Sequence, residues 1–459
     1  MQIKNKASRL LKDNVRFQAL KLLVEIDYQG AYSNVILDRF LSTSHLTPAD
    51  QGLLVHLVYG TTQRRMTLDY YLEPFIQGKK VEDWVKTLLR LSLYQHLYMD
   101  RVPQHAILNE AVNIAKTNGH QGLGGFVNGV LRNIQRKGLR SLPDKDHDFL
   151  TYLSIAYSTP KWLVQQLLTW YGPSPVLVQE ILSSFLEKPK LTVRITKSAD
   201  KRAEIADHLL AEGVKTEPSA ISPFGLIVKS GPVFASQAFK DGLLTVQDES
   251  SMLVAPLGIR SGHEQVLDAC AAPGGKATHI RQLLETGHLL AMDLSATKLR
   301  KVQDHLDRMG LSLRVETKAG DAGKFIPPQG TLYDTIYLDA PCSGLGLLRR
   351  KPEIKYQKQA LTVQALADIQ RHLIDHLSQF VKPGGQLIYS TCTLAKPENQ
   401  VLIQAFLFDH PEFSLLPIEK GETGLDQAIT PEGYLQILPH YQGTDGFFIA
   451  RLQKDEGIQ

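Results

Sequence analysis

From Gly242 onward, short apolar runs alternate with longer helical stretches, and that alternation admits few folds. The strand candidates are Gln265–Ala269, Leu289–Leu294, Leu313–Thr317, Tyr333–Leu338 and Gln386–Thr391. Interleaved with them are helix candidates at Lys276–Glu285, Ala296–Met309, Ala360–Phe380 and Pro397–Phe408. Strands separated by helices pair in parallel, with helices covering the sheet. The end of the chain differs: Tyr434–Leu438 and Gly446–Leu452 read as two strands joined by a turn, an antiparallel finish.

At 459 residues the chain is too long for one core. Residues 1–140 carry a helical period, in Leu20–Ile26, Leu53–Leu57, Val85–Leu97 and Ile107–Ile114, and predict an all-α bundle of six or seven helices. Gly119 to Gly125 reads as a glycine-rich turn before a helix at Phe126–Ile134, and Leu142–Asp148 as a linker. Between Tyr157 and Lys240 a small α+β module is expected. It has a helix at Trp162–Tyr171, a strand at Leu191–Ile195, a helix at Ala199–Glu212, and short strands at Leu226–Val228 and Val233–Phe234. The expected domains are 1–142, 150–240 and 241–455.

The net charge of +4 is unevenly placed: residues 1–140 hold 19 Lys/Arg against 11 Asp/Glu. A basic N-terminal third predicts a polyanion partner there. No apolar run approaches the roughly 20 residues that span a bilayer. The basic start (Lys4, Lys6, Arg9, Lys12) lacks the apolar stretch of a signal peptide, so no membrane association and a cytoplasmic location are expected. Three widely separated cysteines make neither a disulfide framework nor a metal site.

The apolar strand Val266–Ala269 runs into the tight turn Pro273-Gly274-Gly275 and then a helix, an arrangement that lets backbone approach a nucleoside-bearing cofactor. A Walker loop is excluded, because position 270 is Cys and position 277 is Ala. Asp293 closes the next strand, where a carboxylate can accept from ribose hydroxyls or else cap the following helix. Asp321 follows the third strand and could take an adenine amino group; Asp268 could hold the loop or an amino-acid ammonium group. One acidic residue after each of three strands is what an S-adenosylmethionine site needs.

All three cysteines sit in motifs. Cys342 follows the fourth strand in Asp339-Ala340-Pro341-Cys342, and Cys392 ends the fifth in Ser390-Thr391-Cys392. In a parallel sheet both strand ends open on the edge where the cofactor binds. Two thiols there suggest covalent chemistry, whereas Cys270 is expected to pack. A thiolate added to C6 of cytosine makes C5 nucleophilic enough to take a methyl group. A base must then remove the C5 proton, and Asp339 can bond the N3/N4 edge of the ring.

Ala271-Ala272-Pro273-Gly274-Gly275-Lys276, Asp339-Ala340-Pro341-Cys342-Ser343-Gly344-Leu345-Gly346 and Ser390-Thr391-Cys392-Thr393 resemble the signature motifs of RNA cytosine-5 methyltransferases. Val246–Ser251, Arg349-Arg350-Lys351-Pro352-Glu353, Pro397-Glu398-Asn399 and Gly443–Phe448 are similar to that family as well; Lys351-Pro352-Glu353 departs mildly from its usual run. Leu57–Arg65, Pro103–Ala106 and Phe126–Arg132 resemble a NusB-like RNA-binding domain.

The resemblance implies a multidomain chain: an all-α NusB-like N-terminal bundle, a small α+β module, and a C-terminal α/β Rossmann-like class I methyltransferase with an antiparallel last strand. It implies methyl transfer from S-adenosylmethionine to C5 of a cytosine in 16S rRNA, by a monomer. DNA cytosine-5 methyltransferases use the Pro-Cys thiol as nucleophile. In the RNA family the Thr-Cys motif supplies it, so Cys392 attacks, Cys342 assists release, and Asp339 and Lys276 complete the catalytic set. The implied cofactor set is Ala269, Cys270, Ala271, Ala272, Pro273, Gly274, Gly275, Lys276, Asp293, Arg300, Asp321, Asp339 and Pro341. A tRNA cytosine-5 methyltransferase is the alternative within this class. Outside it stands an RNA-binding assembly or antitermination factor with an inactive core, against which the intact Asp339, Cys342 and Cys392 argue.

Arg64, Arg65, Arg132, Arg136 and Lys137, with Arg140, are candidate RNA contacts, and so are Arg349, Arg350 and Lys351. His105 at a helix start is expected to be structural, and Trp84, Trp162 and Trp170 to lie in cores.

Overall fold

Local signals set the helices of the N-terminal part. In the computed structural model, which describes residues 11–172, 175–328 and 330–456, α1 (Val15–Gln29) starts where the Asn14 side chain accepts from Phe17 N at 2.9 Å. It stops at Gly30, whose φ of 70° a side chain would resist. Lys4, Lys6 and Arg9 lie outside the described residues. There follow α2 (Ser33–Leu41), α3 (Pro48–Gln63), α4 (Arg65–Ile76), α5 (Asp83–Tyr98), α6 (Gln104–Asn118) and α7 (Gln121–Lys137). They share one core around Phe17, Leu20, Leu54, Leu89 and Ile114.

The expected glycine-rich turn is only partly a turn: α7 begins at Gln121 and contains Gly122, Gly124 and Gly125. A Cβ on Gly124 would come within 2.4 Å of Lys116 Cγ, so glycine there admits the close approach of α6 and α7. Part of the positive charge is internal. Buried Arg90 donates to Asp27 at 2.7 Å and to both oxygens of Asp69 at 2.7 and 2.8 Å.

Three more helices, α8 (Phe149–Ala156), α9 (Lys161–Tyr171) and α10 (Pro175–Ser184), fold with this bundle. So does a distant piece of chain, Leu348–Gln359. The other unit comprises residues 188–347 and 360–459. Trp84 and Trp170 are buried, and Trp162 is partly so.

The second unit opens with an antiparallel four-stranded sheet of order β2-β3-β1-β4, formed by β1 (Leu191–Ile195), β2 (Lys215–Pro218), β3 (Gly225–Ser230) and β4 (Leu244–Val246). The helix α11 (Arg202–Ala211) packs against it, and α12 (Gln237–Lys240) precedes β4. The expected strand at Val233–Phe234 is a 3-10 turn instead, with Val233 buried and Phe234 exposed. The edge strand β2 is polar and mostly exposed, so it leaves no alternation to read.

The large sheet holds β5 (Gln265–Asp268), β6 (His288–Asp293), β7 (Val315–Ala319), β8 (Tyr333–Asp339), β9 (Val381–Thr391), β10 (Phe413–Leu415), β11 (Leu435–Ile437) and β12 (Phe447–Lys454). Its order is β10-β12-β9-β8-β5-β6-β7, with β11 paired to β12. From β9 to β7 the pairing is parallel, while β12 runs antiparallel to β9. Residues alternate between two cores: Val266, Leu289, Ala291, Tyr337 and Ile388 face one, and Leu267, Leu290, Ile336, Leu338 and Tyr389 the other.

The connecting helices are α13 (Gly275–Leu283), α14 (Ala296–Met309), α15 (Ile354–Gln357, in the segment that joins the bundle), α16 (Ala360–Ser378) and α17 (Gln400–Asp409). β7 begins two residues later than the sequence suggests; Leu313 is exposed and its carbonyl accepts from Arg281 Nε at 2.7 Å. No described helix is long and apolar enough to cross a membrane.

Candidate active site

The sheet order puts the ends of β6, β5, β8 and β9 side by side, and each carries a candidate residue. The loop after β5 is tied down by Ala271 N to Met292 O at 2.7 Å and Ala272 N to Asp293 Oδ2 at 3.3 Å. It turns at Gly274, φ 110°, where a Cβ would sit 3.1 Å from the Val302 backbone of α14. Asp293 does not cap α14: the cap is Ser295, whose Oγ accepts from Lys298 N, while Asp293 Oδ1 accepts from Ser295 N at 2.9 Å. Asp321 accepts from Gly323 N at 3.0 Å and stays partly exposed. Arg300 is exposed on the second turn of α14.

Asp268 is the unusual member. It is buried, and no side chain donates to either oxygen, while the Cys270 backbone N–H lies near enough to favour its charged form. Burial, then the Asp339 charge, pushes its carboxyl from an ordinary 3.8 up to about 7, against the pull of Lys276. A buried carboxylate with so few donors favours a cationic partner.

At the end of β8, Asp339 is held from both sides: Lys276 Nζ donates to Oδ2 at 2.7 Å, and Ser390 Oγ to Oδ1 at 2.8 Å. Burial works against the Lys276 ammonium group. The Asp339 carboxylate outweighs it and holds lysine charged beyond its ordinary range, with Cys392 and Asp268 adding in the same sense. Cys342 and Cys392 sit with sulfurs 3.2 Å apart. The hydrogen bond with Cys392, then burial, then the nearby negative groups push the Cys342 thiol well up. Cys270 packs against a core; burial and the Asp268 charge push its thiol up, which leaves it unreactive. Gly346 closes the Cys342 loop: its N–H reaches Cys392 O at 3.0 Å, and a Cβ there would meet Gly446 O at 2.0 Å.

A curated relative from Bacillus subtilis (strain 168), "Probable ribosomal RNA small subunit methyltransferase B", is 41% identical over 450 residues, covering 96% of this chain and 99% of its own. The chain belongs to the RsmB/F methyltransferase family. The family's profile, described as 16S rRNA methyltransferase RsmB/F, matches residues 257–453. A NusB family profile matches 13–136, and an RsmF/B-like ferredoxin-like domain matches 159–233. The Shewanella oneidensis "Ribosomal RNA small subunit methyltransferase B" is 34% identical, with 96% of this chain and 99% of that one covered. Among solved structures, PH0851 aligns over 99% of this chain and all of its own, at 26% identity and a TM-score of 0.77. NSun6 from Pyrococcus horikoshii covers 64% of this chain and 98% of its own at 23% identity and a TM-score of 0.56, and shares the fold.

For an RsmB/F protein the basic candidates divide. Arg349 differs from expectation: it is buried, donates to Ser184 O at 2.8 Å and pairs with Glu187 at 3.3 Å, so it stabilises the helical unit and is not open to a phosphate. Arg350 and Lys351 are half-buried in the same segment. Arg64 stacks on Tyr98, while Arg65 pairs with Asp27 at 3.1 Å and stacks on Tyr356. Arg140 bonds Glu73 and lies over Tyr70. Arg132, Arg136 and Lys137 are exposed on α7, and His105, expected to be structural, is exposed at the start of α6. No sequence pattern marks the contacts that fold Leu348–Gln359 into the bundle. There Glu353 accepts from Ser33 N and Oγ at 3.0 and 2.8 Å, and Lys355 donates to Gln63 O at 2.9 Å. Among the described residues no cluster could hold a metal ion.

Proposed function

We propose that this RsmB/F protein methylates C5 of a cytosine in 16S rRNA, with S-adenosylmethionine as donor and a covalent bond from Cys392 Sγ to C6 of the base. The observation that carries the reading is the pair of thiols 3.2 Å apart beside the Lys276–Asp339 ion pair. S-adenosylmethionine, when bound, supplies an electrophilic methyl group. Asp268 suits its ammonium group, Asp293 the ribose hydroxyls, and Asp321 the adenine edge. The named relatives are ribosomal RNA methyltransferases, which favours 16S rRNA over tRNA and implies action in the cytoplasm.

The residues act in sequence. The Cys392 sulfur attacks C6. Asp339, locked by Lys276 and Ser390, holds the N3/N4 edge of the ring. The leading cause of the raised Cys342 thiol is its bond to Cys392. Once the Cys392 sulfur is bound to C6 that cause is gone, so Cys342 ionises more readily and can take the C5 proton. The target base must leave its stack to reach these groups. Bisulfite sequencing of rRNA and tRNA from cells lacking the protein tests the reading. One 16S cytosine should lose its methyl group and regain it with the wild-type chain; a loss confined to tRNA would overturn the substrate.

Two further outcomes are expected. Asp268→Asn should stabilise the cofactor-free protein at pH 8. The folded carboxyl is raised from 3.8 to about 7, so its stabilising protonated form is lost as pH rises through 7. The same change should weaken S-adenosylmethionine binding at least about tenfold, the cost of one charge-assisted bond. Thermal melts and calorimetry read the two effects. Replacing Arg132, Arg136 and Lys137 together by Gln should weaken RNA binding across sequences and flatten the log K against log salt slope by about 2 to 3.

A further inference from the structure

Glu398 lies in the Pro397-Glu398-Asn399 turn after β9 and is fully buried. Its Oε2 accepts from Ser343 N at 2.9 Å and from Gln370 Nε2 at 2.8 Å. Its Oε1 accepts from Ser343 Oγ at 2.5 Å and, at 3.5 Å, from Thr393 Oγ1. Ser343 is the residue after Cys342, and Thr393 the residue after Cys392. The two hydroxyl oxygens lie 2.7 Å apart. Gln370 Nε2 reaches Pro341 O at 2.8 Å, on the other side of Cys342. Tyr389 OH donates to the Glu398 carbonyl at 2.6 Å and lies 3.2 Å from Gln370 Oε1.

A carboxylate buried among neutral donors is costly, and burial raises its carboxyl despite those four bonds. A fold that needed only packing here would be served by an apolar side chain. What the carboxylate adds is geometry, because it grips the residues next to both thiols at once. We infer that Glu398 is a positioning residue: its carboxylate joins the Cys342 loop to the Cys392 loop and so sets the separation of the two sulfurs. The inference deepens the proposed function and rests on it for its catalytic consequence. Glu398 is fully buried and stands apart from the candidate cofactor carboxylates Asp268, Asp293 and Asp321, which belong to other strand ends.

The test uses the full chain as wild type, Glu398→Gln, Glu398→Ala and Ser343→Ala. Phenylarsine oxide, which bridges two close thiols with loss of water, reads the sulfur spacing without any substrate. Wild type should bind one equivalent, reversed by a dithiol; Glu398→Ala should bind at least tenfold more weakly. Single-turnover methylation should slow at least a hundredfold in Glu398→Ala and tenfold in Ser343→Ala, with RNA KM and S-adenosylhomocysteine affinity within twofold of wild type. A structural defect would instead lower all of these together. Should Glu398→Ala lose cofactor binding, the volume-preserving Glu398→Gln and Ser343→Ala variants decide, and wild-type arsenical affinity and rate in both would overturn the inference. Arsenical binding that responds as expected, with a wild type that makes no 5-methylcytosine, would support the positioning role and sink the proposed reaction.

Discussion

Cys392→Ala is expected to abolish methylation, by at least about 10⁴-fold in turnover, and to abolish any covalent link to RNA. Without a sulfur bound to C6, C5 of cytosine is too weak a nucleophile to take the methyl group, and no other described thiol can substitute. Cys270 is packed in a core with a strongly raised thiol, and in the variant burial and the Glu398 and Asp339 charges still raise the Cys342 thiol. S-adenosylmethionine binding should survive, because its candidate carboxylates stand on other strand ends. Denaturing gels after incubation with RNA and cofactor, together with tritium transfer from the methyl donor, read both effects. A stable adduct formed by the Cys392→Ala protein would reverse the assignment of the two thiols.

Cys342→Ala should do the opposite to the adduct. Attack by Cys392 and methyl transfer remain possible, but the proposed acceptor of the C5 proton, 3.2 Å from the Cys392 sulfur, is gone. The enzyme–RNA complex should then accumulate as a band that resists denaturant, while multiple turnover falls about 10²- to 10⁴-fold, the range of a lost general base. Single-turnover methyl transfer should fall much less than multiple turnover. Equal losses in both would mean that Cys342 acts before methyl transfer and not at release.

The sheet was legible because its inner strands β5, β6, β8 and β9 are largely buried and separated by helices. Ala296–Met309 matches its expected bounds to the residue, since Ser295 starts it and Gly310, φ 67°, ends it. Asp339, Cys342 and Cys392 were legible as strand-end residues, because a parallel sheet fixes which ends share an edge. The glycines of α7 and the polar edge strand β2 were not, because their conformation is decided by neighbours far away in sequence. Arg349 was misread for the same reason: a basic run next to a motif looks solvated until Ser184 and Glu187 are brought to it. Glu398 carried no signal of its role, which depends on two loops meeting.

The excursion Leu348–Gln359 begins six residues after Cys342, folds with the helical bundle, and returns to begin α16. The border between the two units is therefore crossed three times by the chain, and no single cut separates them. A fragment beginning at residue 188 would carry a 12-residue tongue whose Leu348, Arg349, Glu353, Ile354 and Lys355, all buried in the whole protein, would have lost their surroundings. Such a fragment invites proteolysis and self-association at a point just beyond Cys342. The bundle, expressed without the tongue, would likewise leave the N–H of Ser33 without its carboxylate. Exchange of the N-terminal domain between relatives, by recombination or by design, would have to carry the tongue along with it.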